Sequence, residues 1–214
     1  RVPSFCMDRT EVTVDAYASC VALGACSAKD LECGNAATWG KKGLGGHPVN
    51  CVTWDEADGF CREHGKRLPT EEEFEWAARG GRRALTYPWG EEPPADRACW
   101  DGDGNAKGKG ERKQTCAVGA NPRGRSQDGI QDLSGNVREW TWNAATAGRH
   151  WILGGAWSDP SYMFSVPNSL PPDDRSPTNG FRCMRTAAQT NPLTEGASVP
   201  AELLAPMEVS SPDY

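Results

Sequence analysis

Nine cysteines are the residues of this chain most able to do chemistry: Cys6, Cys20, Cys26, Cys33, Cys51, Cys61, Cys99, Cys116 and Cys183. A thiolate can act as a nucleophile, a metal ligand or half of a disulfide. No CxxC occurs, and the three histidines, His47, His64 and His150, stand apart, so zinc-site spacing is missing. Each histidine reads as a surface or hydrogen-bonded residue. There is no GxSxG and no HExxH either. Disulfides are the remaining use, and they belong to an oxidising compartment. The odd count leaves at least one thiol free or paired outside this chain. Cys20, Cys26 and Cys33 share one short loop-like stretch, where a local bridge is expected. Cys99 and Cys116 flank the Gly- and Lys-rich segment 101–114 and would close it. The run Asp101-Gly-Asp-Gly-Asn105 faintly resembles a calcium loop but lacks the downstream Glu such a loop needs.

The elements that must position these residues are punctuated by caps and glycines. Residues 3–13 alternate partly and predict a strand. Thr13 caps a helix predicted from Val14 to Leu23, which Gly24 ends. A second strand is predicted over VNCVTW, residues 49–54. Thr53 and Glu56 form a capping box, each side chain satisfying a backbone donor of the other; the helix they open runs to His64. Thr70 and Glu73 repeat the device for a helix through Arg79 that stops at Gly80-Gly81. Residues 80–136 show little periodicity, yet Trp89, Cys99, Trp100 and Cys116 argue that they are ordered. Short strands follow at about 138–142, 151–157 and 180–186. From residue 187 the composition turns to Ala, Pro, Ser, Thr and Glu, which cannot build its own core; this 187–214 tail is expected to dock on a partner.

The chain has 214 residues, enough for one substantial core, with 37% hydrophobic residues, 24 Gly and 16 Pro. Nine Trp supply large anchors for a loop-rich core. A net charge of −6 argues against a nucleic-acid partner. No apolar run is long enough to span a membrane. Arg1, not Met, opens the sequence, which leaves room for an upstream signal, lipid anchor or domain.

Eight stretches, in order, carry a resemblance: FCMDRTEVTVDAY, HPVNCVTWDEADGFC, GKRLPTEEEFEWAARGG, YPWG, VGANPRG, GIQDLSGNVREWT, ILGGAWS and NGFRCMR. Together they span residues 5–185 and resemble the formylglycine-generating enzyme (sulfatase-modifying factor) family. The resemblance implies an α+β fold, an elaborated C-type-lectin-like domain over 1–186 with much irregular loop. It also implies the family's chemistry, in which two thiolates hold copper(I) and oxygen converts a substrate cysteine to formylglycine. That pair follows the motif matched here by Gly154-Gly155-Ala156-Trp157, and its two positions fall on Asp159 and Phe164. Neither is a soft ligand for copper(I). No cysteine lies between Cys116 and Cys183, so no copper and no oxidase activity are expected. An iron-dependent branch of the family needs a histidine-rich motif that is missing here.

A calcium site survives the carry-over: the Asp132 and Glu139 side chains with the Gly135 and Val137 carbonyls, all hard oxygen donors from one tight turn. The alternative is that Asp132 and Glu139 pair with Arg138 or cap the turn. In the family the loop between GGAW and GFR, residues 158–179 here, lines the substrate groove. Trp157, Tyr162, Met163 and Phe164 could offer a ligand or partner surface, or merely fill the space left by the thiolates. In NGFRC, Gly180 answers a backbone need, Phe181 fills core and Arg182 joins a buried network. The expected function is a non-catalytic binding or assembly domain of an extracytoplasmic complex: periplasmic, secreted or carried on an outer-membrane lipoprotein. Its expected partners are envelope protein subunits, met by the tail and the 158–179 loop. A lectin-like glycan or peptide receptor, and a copper-dependent oxidase, are the alternatives.

Overall fold

A computed structural model describes residues 2–102 and 111–186. The order of elements is β1 (Phe5–Met7), α1 (Val14–Ala22), α2 (Trp54–Glu63), α3 (Glu71–Ala78), β2 (Arg138–Thr146), β3 (Arg149–Leu153), β4 (Asn168–Leu170), β5 (Asn179–Gly180) and β6 (Met184–Thr186), with short 3₁₀ turns between. A four-stranded sheet has the order β4-β3-β2-β5, and β1 pairs with β6 in a separate two-stranded sheet. Few regular elements and long connections give an elaborated lectin-like α+β fold.

The caps form as the residue types require. The Thr13 hydroxyl accepts the Ala16 N–H. Both capping boxes close reciprocally, Thr53 with Glu56 and Thr70 with Glu73. Glu56 also serves a distant partner. Arg175 grips its carboxylate with two bonds of 2.7 Å, which ties the late loop to the start of α2. The core is aromatic. Tyr17 stacks on Phe60 at 5.6 Å, and Phe181 meets Phe60 edge-on at 5.5 Å. Trp140 is fully buried and donates its indole N–H to the Val52 carbonyl at 3.0 Å. Tyr and Trp fill a core well only when the polar tip finds such a partner.

Four disulfides staple the loops: Cys20–Cys26, Cys33–Cys51, Cys61–Cys183 and Cys99–Cys116. Such a set marks a protein that matures outside a reducing cytosol. The local bridge in the 20–33 stretch is Cys20–Cys26, whereas Cys33 reaches out to Cys51. Cys6 is free and exposed.

Several expected strands differ. Over residues 3–13 only Phe5–Met7 is regular, because Arg9 turns its carbonyl to Gln131 while Asp8 and Val12 bond singly to Cys183 and Phe181. Residues 49–54 form no strand: Cys51 sits at φ +62°, which breaks any extended run, and its N–H bonds to the Ser176 carbonyl. β3 stops at Leu153 because Gly154 and Gly155 both take positive φ, +92° and +69°. β4, three residues in a proline-rich loop, has no sequence signal. The 187–214 tail and most of the 101–105 run lie outside the described residues.

Candidate functional site

Two sites converge on the turn that leads into β2. Three of its residues adopt the left-handed backbone region: Asp132 (φ +56°), Gly135 (+84°) and Asn136 (+61°). At Gly135 any side chain would strike the Cys99 carbonyl, with a Cβ only 2.6 Å from that oxygen. The Asn136 N–H bonds to that same carbonyl at 2.8 Å, and its side-chain oxygen accepts the Cys116 N–H at 3.0 Å. The Cys99–Cys116 bridge is therefore clasped to the turn.

Behind the turn lies a buried charge cluster. Arg182 is fully buried and grips Glu139 through Nε and Nη2, each 2.7 Å from a carboxylate oxygen. Its other donors reach the carbonyls of Gln131 (2.9 Å), Asp8 (3.3 Å) and Arg9 (3.4 Å). Asp132 accepts the Gly119 N–H at 2.5 Å. Glu11 is 2% exposed, and neither carboxylate oxygen has a hydrogen-bond partner. Burial first, then the charges of Asp132 and Glu139, push the Glu11 carboxyl well above the usual range, against the pull of Arg182. Burial also raises Asp132 and Glu139. Three carboxylates face one guanidinium, an excess of two negative charges when all are ionised.

That excess bears on the expected calcium ligands. Among the described residues no group of three or more His, Cys, Asp or Glu side chains is arranged to hold a metal. Both Glu139 oxygens already serve Arg182, as the network role expected of Arg182 requires. An ion at this turn would rest on Asp132, on the Gly135 and Val137 carbonyls, and on a Glu139 carboxylate shared with Arg182. The orphaned Glu11 and the unbalanced charge are what a divalent cation nearby would relieve.

The second site is the cleft of the 158–179 loop. Asp159 is 8% exposed. One carboxylate oxygen takes a 2.7 Å bond from Arg138, and the other accepts the Ala156 N–H at 2.8 Å. Phe164 is 7% exposed and packs edge-on against Trp100 and Tyr87, with centroids 5.9 and 6.5 Å away. It is core, not a presented surface, which corrects its place in the expected partner surface: the aromatic ring is driven out of water by neighbours that close over it. The cavity beside it, lined by Phe74, Ala78, Leu153, Gly154, Phe164 and Val166, holds about 40 Å³, room for a few waters and no peptide. Trp157 is half-buried and donates its indole N–H to Pro177. Met163 is half-buried, and Tyr162 is 56% exposed.

The histidines take the local roles their isolation implied. His47 bonds Thr115, His64 bonds the Phe60 carbonyl, and His150 stacks on Trp54 at 4.0 Å. Sequence reasoning missed two features. Glu11 was legible only as a lone acid inside the apolar run around Val12 and Val14. An open groove of about 980 Å³, lined by Trp89, Arg97, Arg123, Arg125 and Asp128, falls in the stretch without periodicity.

Comparison with known proteins gives one answer. Residues 1–187 match the family model described as sulfatase-modifying factor enzyme 1-like domain. The protein named inactive C-alpha-formylglycine-generating enzyme 2 of Bos taurus is 35% identical over 157 residues, covering 66% of this chain and 51% of its own length. The formylglycine-generating enzyme of Streptomyces coelicolor is 32% identical over 174 residues, 68% of this chain and 54% of that one. The chain thus spans about half the length of these curated relatives. Among solved structures, CarF superposes with a TM-score of 0.66 at 23% identity, covering 85% of this chain and 86% of that one. PvdO from Pseudomonas aeruginosa gives 0.64, also at 23% identity, covering 85% and 80%. At that identity the structures speak for the fold.

Proposed function

This chain belongs to the sulfatase-modifying factor family, and we propose that it serves as a non-catalytic binding or assembly domain of an extracytoplasmic complex, periplasmic or at the cell surface. One observation carries the reading. The two positions where the family's copper thiolates fall hold an Asp locked by Arg138 and the Ala156 N–H, and a Phe sealed into the core. Neither side chain is free to bind copper(I), and both stabilise the loop instead. The resemblance to a relative named as inactive points the same way. Calcium at Asp132, Gly135, Val137 and Glu139 is the proposed structural ion, favoured by the buried, unpartnered Glu11 carboxyl beside Asp132 and Glu139.

The test is direct. Purified chain is incubated with copper(I), oxygen and a cysteine-bearing peptide, and the peptide is read by mass spectrometry. No formylglycine is expected, and copper(I) should stay with a competing chelator. Conversion of the cysteine, or copper retained by the protein, would overturn the reading. Native purification with identification of co-purifying chains tests the assembly role; a chain recovered alone at every salt concentration refutes it.

A further inference from the structure

Among the described residues the β1–β6 sheet has two strands, and the hydrogen-bond directions along β1 can be followed residue by residue. Asp8 donates to Cys183 at 2.9 Å, so it faces β6. The antiparallel register pairs Phe5 with Thr186, Cys6 with Arg185 and Met7 with Met184. Bonding alternates along such a ladder, so Cys6 faces β6 like Asp8, and Phe5 and Met7 point the other way. Met184 confirms the phase, since it exchanges both backbone bonds with Arg67 on the far side. Arg9, next in the outward set, gives its carbonyl to Gln131. Phe5 and Met7 thus turn donors and acceptors to an edge where no strand lies among the described residues. A groove of about 500 Å³ runs along that edge, lined by Phe5, Cys6, Met7, Trp76, Ala77 and Ile130. An unpaired edge beside an apolar groove is a template for another strand.

We propose that the strand received is β1 of a second copy of this chain, antiparallel about a two-fold axis at Cys6, with a Cys6–Cys6 disulfide closing the pair. Self-pairing places Phe5 opposite Met7 of the other copy, and those are the residues whose backbone groups point outward. Cys6 then faces Cys6 of the other copy at a non-hydrogen-bonded position. There the Cα atoms of an antiparallel pair stand about 4.5 Å apart, inside the range a disulfide needs. Directly opposed residues share a face, and Cys6 lies on the solvent face, since Phe5 and Met7 pack on the Phe74–Leu133–Leu153 cluster. The register favours a second copy as the occupant, because β1 is self-complementary about Cys6. The other eight cysteines of this chain are paired within it, and the two-fold register sets the remaining one directly opposite its own mate.

A three-residue ladder buries far less than a stable interface needs, so the covalent link fixes the dimer. It forms by exchange with a small-molecule disulfide of the glutathione type. One Cys6 thiolate attacks and releases a thiol, and the second displaces the mixed disulfide and releases another. Two Cys6 thiols lose two protons and two electrons, and one disulfide is reduced to two thiols. The inference does not depend on the reading of the cleft, and either can fail alone.

The full chain is incubated at micromolar concentration in a glutathione redox buffer and read by intact mass and peptide mapping. The expected product has twice the chain mass and a Cys6–Cys6 peptide, and Cys6→Ser stays monomeric. Ser4→Cys in a Cys6→Ser background carries its thiol on the same face, but its symmetry mate lies about 13 Å away along the paired strands, beyond disulfide reach; it should link at least ~10-fold more slowly. Met7→Pro removes an outward N–H as well as the packing of the Met7 side chain, so Met7→Ala, which keeps the N–H, is its control: Met7→Pro should link ~10-fold more slowly than Met7→Ala. A monomer carrying glutathione on Cys6, or linkage at equal rates at positions 4 and 6 or in Met7→Pro and Met7→Ala, overturns the proposal.

Discussion

Replacing Glu11 by Gln removes one buried ionisable group and leaves shape and volume nearly unchanged. The native Glu11 carboxyl titrates well above an unfolded glutamate. Between the unfolded and the folded pKa the native state therefore holds a proton that the unfolded state has lost. Stability from this group is present at low pH and falls as pH rises, by up to about 1.4 kcal/mol per pH unit. The loss continues until pH passes the folded pKa, and each kcal/mol lost lowers Tm by about 2–4 °C for a domain of this size. Burial lowers His47 and His150, which act in the opposite sense below about pH 6.5. The quantity to read is thus the difference between wild type and Glu11→Gln, in which the histidines cancel. Urea unfolding followed by Trp fluorescence, with a chelator present, should show the variant gaining on wild type as pH rises from 5 to 8. Calcium at 100 times its dissociation constant should add about 2.7 kcal/mol to wild type and shrink that gain, because the ion supplies the charge Glu11 lacks. A difference that stays constant with pH refutes the buried-charge argument; a wild type indifferent to calcium refutes the ion.

Phe164→Ala should cost about 3–5 kcal/mol by opening a cavity among Trp100, Tyr87 and Gly155, whereas Tyr162→Ala, at a 56% exposed site, should cost clearly less; equal effects in thermal melts would reverse the assignment of the two rings. Removing Cys61–Cys183, whose partners are 122 residues apart, should cost about 5 kcal/mol against about 2 for Cys20–Cys26, only 6 apart, and paired Ala variants measured in urea decide. A Cβ at Gly180 would lie 2.7 Å from Val137 Cγ2, so Gly180→Ala should destabilise by about 2 kcal/mol or more, while at Gly59, inside α2, nothing lies within 4 Å and Ala should stabilise by about 0.5–1 kcal/mol; melts of the two variants shifting together would contradict this.

The parts of the fold legible in the sequence are those set by local chemistry. Thr13, Thr53 and Thr70 announced three helix starts because a hydroxyl in reach of free N–H groups needs no distant partner. Cys99–Cys116 was legible because the two cysteines frame a single Gly- and Lys-rich segment with no other cysteine between them. The strands were not, since VNCVTW has strand-forming residues but its middle is bent by Cys51 at a positive φ that contacts from the Ser176 region hold. Cys33–Cys51 carried no mark because Cys20, Cys26 and Cys33 compete as neighbours, and Cys61–Cys183, 122 residues apart, depends on global folding. In the site, the residue types at 132, 139, 159 and 164 were legible through the family motifs. Their pairings were not: Arg182 with Glu139 and Arg138 with Asp159 each join residues far apart in sequence, and so does the packing that leaves Glu11 without a hydrogen-bond partner.

Those pairings also determine whether two thiolates placed at positions 159 and 164 would build a copper(I) site. Asp159→Cys would leave Arg138 facing no carboxylate, with its Nε already buried and unpartnered. Removing one partner of a partly buried ion pair costs on the order of 1–3 kcal/mol here, below the fully buried limit because the side chains keep some exposure. Phe164→Cys would add a cavity cost of about 2–4 kcal/mol. Together they consume much of the 5–15 kcal/mol that holds an ordinary domain folded. The double variant should therefore melt far below wild type and bind no copper(I) with the affinity of a preformed thiolate pair. A stable double variant that binds copper(I) tightly would show instead that the cleft is still built for the ion, with Arg138 and the cavity free to adjust around it.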